Sequence, residues 1–167
     1  LYLALALPQL NLPGLHYDEA KEAGLNALEM LRAQNVQAFR SAGVQIGPLF
    51  LPIMVQDYIG ALNVYLALPF LAALGATVTA LRLLAVACGL ATLLLAWQLG
   101  NELGRLADNP RPWTGGIGAL LLAVSPSFLF WSRQGIFVTN IVVTLAVATV
   151  WAVTRWRRSG RAGWLYS

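Results

Sequence analysis

The chain has 167 residues, of which 58% are hydrophobic and 11% charged, with a mean hydropathy of +0.65. An average soluble domain carries about 25% charged residues, so the composition excludes an ordinary soluble globular domain, and its apolar wealth excludes disorder. The net charge of +4 comes from sparse bases at the ends of apolar runs, the pattern of a polytopic membrane protein and not of a nucleic-acid binder.

In chain order, residues 1–12 form an apolar run of about twelve residues, where a span needs about twenty. The run has no basic region before it and reads as the outer half of a first transmembrane helix. Residues 13–57 differ in character and hold five of the seven acids, Asp18, Glu19, Glu22, Glu29 and Asp57. They open on His16-Tyr17-Asp18-Glu19. An amphipathic stretch follows, with Leu25, Leu28 and Leu31 on or near one face and Glu22 and Glu29 away from it. Gly43, Gly47, Pro48 and Pro52 then mark a loop.

Residues 58–75 are apolar but carry Asn63 and Pro69, and are expected as an interfacial or embedded helix that does not cross. Residues 76–167 are expected to hold transmembrane helices at about 79–99, 115–130 and 136–154, and the start of a further one at 164–167. The chain thus reads as the N-terminal part of a larger membrane protein. The Gly115-Gly116-Ile117-Gly118 run follows no strand and lacks a Lys-Ser/Thr ending, so it is read as close helix packing and not as a phosphate loop. The one cysteine, Cys88, excludes an internal disulfide. The absence of CxxC and paired-His motifs speaks against the usual zinc and haem sites.

Arginine placement gives the expected sidedness. Arg155, Arg157, Arg158 and Arg161 form the strongest basic cluster and belong on the cytoplasmic side. Counting back puts Arg105 and Arg111 inside as well, and puts residues 13–57 and the turn around Arg133 outside. Trp97, Trp113, Trp131, Trp151 and Trp156 fall near the expected membrane boundaries, as an aromatic belt would.

Several polar residues on the outer side could carry chemistry. Asp18 and Glu19 are adjacent carboxylates; one suits a general base and the other a metal, an orienting role or substrate. Asp at a helix start equally suits an N-cap, and the two roles are compatible. Asp57, beside Tyr58, is the only acid between Glu29 and Glu102 and is open to the same two readings, cap or site. Arg133 goes against the positive-inside bias; it suits a phosphate, or a snorkelling position at a helix end. Arg82 suits an acid of the loop or a lipid phosphate, and a structural pair is the favoured reading. His16 could position a carboxylate, or simply sit at the interface.

The order Tyr17-Asp18-Glu19-Ala20, Asp57-Tyr58-Ile59-Gly60, Pro69-Phe70, Leu81-Arg82, Ser125-Pro126 and Trp131-Ser132-Arg133 resembles the N-terminal part of the GT-C superfamily of membrane glycosyltransferases. The similar branch is the one with protein O-mannosyltransferases and the lipid A aminoarabinose transferase. The resemblance implies transfer of a sugar from a polyprenyl-phosphate donor to a lipid, glycan or protein acceptor at the outer membrane face, usually with inversion. It implies Asp18 as catalytic base with Glu19 supporting it. Asp57, Tyr58, Arg133 and His16 would bind substrate. It names no certain cofactor and leaves a divalent metal open, which would sit on Asp18 and Glu19. The chain lacks the His-Pro-Pro or Glu-Lys-Pro form common in the second motif of such enzymes, which leaves the role of Asp57 open.

The fold expected is therefore an all-α polytopic transmembrane helix bundle with an amphipathic, partly helical first outer loop, contacting membrane lipids and no nucleic acid. The competing readings are a transporter and a non-catalytic membrane assembly subunit. Transporters usually carry ionisable sites within their helices, and the expected spans here carry almost none.

Overall fold

The computed structural model describes residues 1–32, 34, 36–57, 59–107, 111, 113–135, 139–161 and 163, excepting the Glu22 side chain. The chain is mostly helical. Helix α1 (Tyr2–Ala6) is a short helical segment that leads through a turn into α2 (Tyr17–Glu19), a π-helical turn (Ala20–Gly24) and α3 (Leu25–Leu31). Strands β1 (Gly43–Ile46), β2 (Leu49–Pro52), β3 (Met54–Gln56) and β4 (Ile59–Gly60) come next. The rest is α4 (Leu62–Leu74), α5 (Val78–Leu106), α6 (Thr114–Val124), α7 (Pro126–Ser132) and α8 (Thr139–Ser159).

The strands correct the all-α expectation. β1 and β2 pair antiparallel with Gly43 opposite Pro52 and Ile46 opposite Leu49. Between them Gly47 takes φ +58°, a conformation that glycine adopts without steric cost. β3 and β4 form a second small pair, with Met54 opposite Gly60 and Gln56 opposite Ile59. The turn residues that mark a loop in the sequence are thus the corners of a hairpin. Val44, Ile46 and Leu49 share one face and stay exposed, and strands of four residues between glycines and prolines carry too short an alternation to stand out from a loop.

Helix α5 is the spine of the molecule. Its 29 residues span about 43 Å at 1.5 Å per residue. The side-chain oxygen of Thr77 caps it, accepting from the Ala80 N–H at 3.1 Å. It runs beyond the expected 79–99 because Asn101, Glu102 and Arg105 continue the helix, with Glu102 paired rather than exposed.

One face of α5 buries Ala80, Leu81 and Leu84 against Val64, Ala67 and Leu71 of α4 and against Ala23 and Ala27. Val86 and Leu93 pack instead with Tyr2, Ala6, Leu10 and, from α6, Ala123. The amphipathic stretch therefore buries small side chains. Of the expected leucine face Leu28 packs against this core, while Leu25 and Leu31 are exposed.

Helix α4 has 13 residues, about 20 Å of helix, short of the hydrocarbon thickness of about 30 Å. Among the described residues, α5 and α8 are the two helices long and apolar enough to cross a membrane, and the pair α6–α7 makes up to three. The expected single helix 115–130 is instead that pair, bent by 70°. The break has a local cause: a proline disfavours helical backbone in the residue before it, and Ser125, preceding Pro126, has φ −63° and ψ 122°. The start of the expected helix 136–154 lies outside the described residues, as do Tyr58 and the expected segment at 164–167; the described part of α8 runs on to Ser159.

The α5–α6 crossing is close. A β-carbon on Gly115 would collide with the Trp97 carbonyl oxygen and one on Gly100 would lie 2.7 Å from the Gly115 Cα. Asn101 Oδ1 accepts from the Gly115 N–H at 3.2 Å across the same junction. The packing expected of the glycine run is thus the work of Gly115; Gly116 and Gly118 face open space. Helices α5 and α8 are joined by hydroxyls, with Thr92 and Thr144 oxygens 2.8 Å apart and Thr144 donating to the Cys88 carbonyl at 3.1 Å.

Candidate functional site

The first turn of α2 is built by its own residues. His16 is the N-cap, its Nδ1 accepting from the Asp18 N–H at 3.3 Å, and Glu19 Oε2 accepts in return from the His16 N–H at 2.9 Å. This reciprocal box satisfies two of the helix's orphan donors. Asp18 is therefore not the cap, as its position suggested; His16 takes that role and leaves the Asp18 carboxylate unused by the backbone.

Glu19 is fully buried and belongs to a closed node. Arg82, 3% exposed, approaches it side-on: Nε donates to Oε1 and Nη2 to Oε2, both at 2.9 Å. The Gly135 N–H donates to Oε1 at 2.8 Å. Each carboxylate oxygen thus accepts two hydrogen bonds. The remaining guanidinium N–H groups donate to the carbonyls of Leu10 (2.8 Å), Pro13 (2.9 Å) and Gly14 (3.0 Å). All five guanidinium donors are used.

Burial alone would raise the Glu19 pKa. The Arg82 hydrogen bonds and charge, with the N–H groups of His16 and Gly135, outweigh it and hold the carboxyl below its ordinary value. The loop-acid partner expected for Arg82 is Glu19. Both Glu19 carboxylate oxygens are thereby committed to these four donors. Among the described residues no cluster of three or more His, Cys, Asp and Glu side chains could hold a metal ion.

Asp18 stands at the edge of this node with its side chain 27% exposed. His16 Nδ1 lies 3.4 Å from Asp18 Oδ2. While His16 Nδ1 accepts from the Asp18 N–H it has no proton to donate to the Asp18 carboxylate.

Arg133 is held near the start of the chain, Nη2 donating to the Pro8 carbonyl at 2.6 Å. The turn after it is tied by Asn140, whose side-chain amide donates to the Trp131 (3.1 Å) and Gln134 (2.9 Å) carbonyls. Glu19, Gly135, Asn63 and Asn140 line a small cavity of about 10 Å³ together with Cys88 and Ile141, room for about one water. Asn63, Asn140 and Gly135 carry no motif in the sequence. Their only signal is polarity inside or beside apolar runs.

Asp57 is elsewhere. It is exposed and lines an open groove of about 450 Å³ with Lys21, Asn26, Glu29, Arg40 and Gln56. The structure thus brings together His16, Asp18, Glu19, Arg82 and the turn carrying Arg133, and places Asp57 in a separate groove. No family model, curated protein or solved structure matches the chain.

Proposed function

We propose that the chain is part of a multi-pass membrane glycosyltransferase that uses a polyprenyl-phosphate sugar at the outer face, with Asp18 as general base. The observation that carries this reading is the division of labour between adjacent carboxylates. Glu19 is spent on Arg82, His16 and Gly135, and in spending itself it fixes α2 to α5 and to the turn two residues past Arg133. Asp18 is left partly exposed and free of backbone duty.

In the proposed reaction the Asp18 carboxylate takes the proton of an acceptor hydroxyl. The acceptor oxygen bonds to the anomeric carbon as the bond from that carbon to the phosphate oxygen breaks, and the phosphate leaves with the electron pair. Arg133, with donors beyond its Pro8 bond, suits the phosphate. No step runs through a metal. The groove around Asp57, with acids, bases and amides in one wall, suits a polar acceptor. Helices α5, α8 and the bent α6–α7 pair would cross the bilayer, with residues 13–57 outside and the arginine-rich end of α8 inside. The exposed apolar side chains of α6 and α8, among them Leu120, Leu121, Val142, Leu145 and Val150, suit contact with lipid tails.

Sugar transfer from a panel of polyprenyl-phosphate sugars tests this on the protein in membranes. Asp18→Asn should lower transfer by about 10²- to 10⁴-fold, the usual share of a general base, with thermal stability unchanged. Equal transfer by the variant removes Asp18 from the mechanism.

The bend in α6–α7 favours a second reading, a transporter. Broken helices line substrate sites in such proteins, and a cavity of about 290 Å³ beside the break is lined by Ser125, Ser127, Thr139 and Asn140. Solute flux into vesicles that survives Asp18→Asn, with no sugar transfer by wild type, would favour it.

A further inference from the structure

The charge of the chain is unevenly placed. Up to Arg82, and including Arg133, five bases (Lys21, Arg32, Arg40, Arg82, Arg133) balance five acids (Asp18, Glu19, Glu22, Glu29, Asp57). The net +4 therefore resides entirely in residues 102–111 and 155–161. These carry Arg105, Arg111, Arg155, Arg157, Arg158 and Arg161 against Glu102 and Asp108.

There the structure builds a cluster. Glu102, 2% exposed, accepts from Arg105 Nη1 (2.9 Å) and Arg155 Nη1 (2.7 Å) on Oε1, and from Arg158 Nε (2.5 Å) on Oε2. One buried carboxylate gathers three guanidiniums from two helices. The arginines are themselves partly open, Arg105 50% and Arg158 37% exposed. On the membrane side of the cluster α8 exposes the apolar Val150 and Val153, and Trp156 lies at its level.

We infer that the Glu102-centred arginine cluster is a binding site for the phosphate headgroup of an anionic phospholipid. Guanidinium planes match phosphate oxygens in geometry and charge. Free phosphate would use the arginines alone. A lipid also uses the apolar flank, with its acyl chain along Val150 and Val153, and the exposure of that flank decides for the lipid. The inference goes beyond the proposed enzyme and stands whether or not Asp18 is a base.

The carboxylate makes the site testable by the sign of an effect. Generic charge attraction predicts that Glu102→Gln, which adds one unit of positive charge, binds anionic lipid more tightly. A built site predicts the opposite, because the arginines lose the group that holds them together. Native mass spectrometry of the purified protein, titrated with phosphatidylglycerol or phosphatidylcholine, reads this directly. Wild type should retain phosphatidylglycerol in preference, and Glu102→Gln should lose about fivefold of that preference.

A charge-matched pair covers the case in which Glu102→Gln misfolds. Arg105→Gln, in the cluster, should lose about fivefold, the worth of one arginine at a charged surface, and Arg161→Gln, outside it, less than about twofold. Equal losses in the two variants, or tighter binding by folded Glu102→Gln, overturn the site. So does equal retention of both lipids by wild type. Displacement of the lipid by an equal concentration of inorganic phosphate overturns the lipid assignment.

Discussion

Helix α5 carries a buried Glu–Arg centre at each end, and the two are built on opposite principles. At the first end Arg82 meets one carboxylate and a set of carbonyls that use every guanidinium donor. At the other end Glu102 meets three arginines that remain partly open. The first centre is closed in charge and in hydrogen bonds; the second is overcharged and open. The rise from Arg82 to Glu102 is about 30 Å of helix, which equals the hydrocarbon thickness of a bilayer, and no charged residue lies between them. A closed centre serves rigidity. An open one has donors to spend on a ligand.

Breaking the closed centre should have the largest effect on stability. Arg82→Ala strands a buried carboxylate and the carbonyls of Leu10, Pro13 and Gly14, and should cost about 3–5 kcal/mol. Arg82→Lys should fail nearly as badly, since a point charge with three donors cannot replace a two-pronged contact on Glu19 together with three carbonyls. Thermal unfolding in a fixed detergent measures both. A loss under about 1 kcal/mol for Arg82→Ala, the range of exposed pairs, would make the two centres equivalent and erase the contrast.

The junction between the two centres comes next in size. Gly115→Leu forces side-chain atoms into the Trp97 carbonyl and should cost about 1–3 kcal/mol by overpacking. Gly116→Leu, where nothing lies within 4 Å, should be nearly silent in the same unfolding assay. Equal effects would mean that the α5–α6 crossing is looser than its geometry.

How much of this was legible beforehand depended on how local the cause was. Long charge-free runs placed α5 and α8, and the short, Pro-interrupted run placed α4, because helix length against membrane thickness is a property of a segment by itself. The partner of Arg82 was half legible: an arginine at the edge of an apolar run needs an anion, and the structure selects the loop acid over a lipid phosphate. The hairpin at 43–52 was not: its strands are only four residues each, and the glycines and prolines that bound them read as a loop. The bend at Ser125 was readable from Pro126 in principle, but a continuous apolar run hid it.

The candidate site divides in the same way. His16, Asp18 and Glu19 were found by type, while their roles as cap, free carboxylate and buried acceptor depend on Arg82 and Gly135, which lie 63 and 116 residues along the chain from Glu19. Asp57 shared the chemistry of the others but not their place.

The pH dependence separates the centres more finely. Because the folded-state Glu19 carboxyl titrates below its unfolded value of about 4.3, its ion pair contributes stability that is fully present above that value. The contribution is lost as pH falls through the folded pKa. Unfolding temperature should therefore drop on acidification below about pH 4.3 in wild type, and the drop should be smaller in Glu19→Gln, whose side chain does not titrate. An equal acid-induced loss in both proteins would assign the effect to other carboxylates.

The smallest effect is expected where the charge is greatest. Arg105→Gln removes one of three cations from Glu102, and Arg105 is half exposed, so solvent screens what it contributes. In neutral detergent the cost should be below about 1 kcal/mol, as for other exposed pairs, because Arg155 and Arg158 still satisfy both carboxylate oxygens. The same substitution in anionic lipid should be more costly than in neutral detergent, since there the arginine also holds a headgroup. That difference between solvents is the signature of an open centre: a closed one such as Glu19–Arg82 has no donor left for lipid to reach, and Arg82→Ala should cost the same in both. If Arg105→Gln were equally mild in anionic lipid, the surplus charge at the far end of α5 would be bystander charge with no ligand of its own.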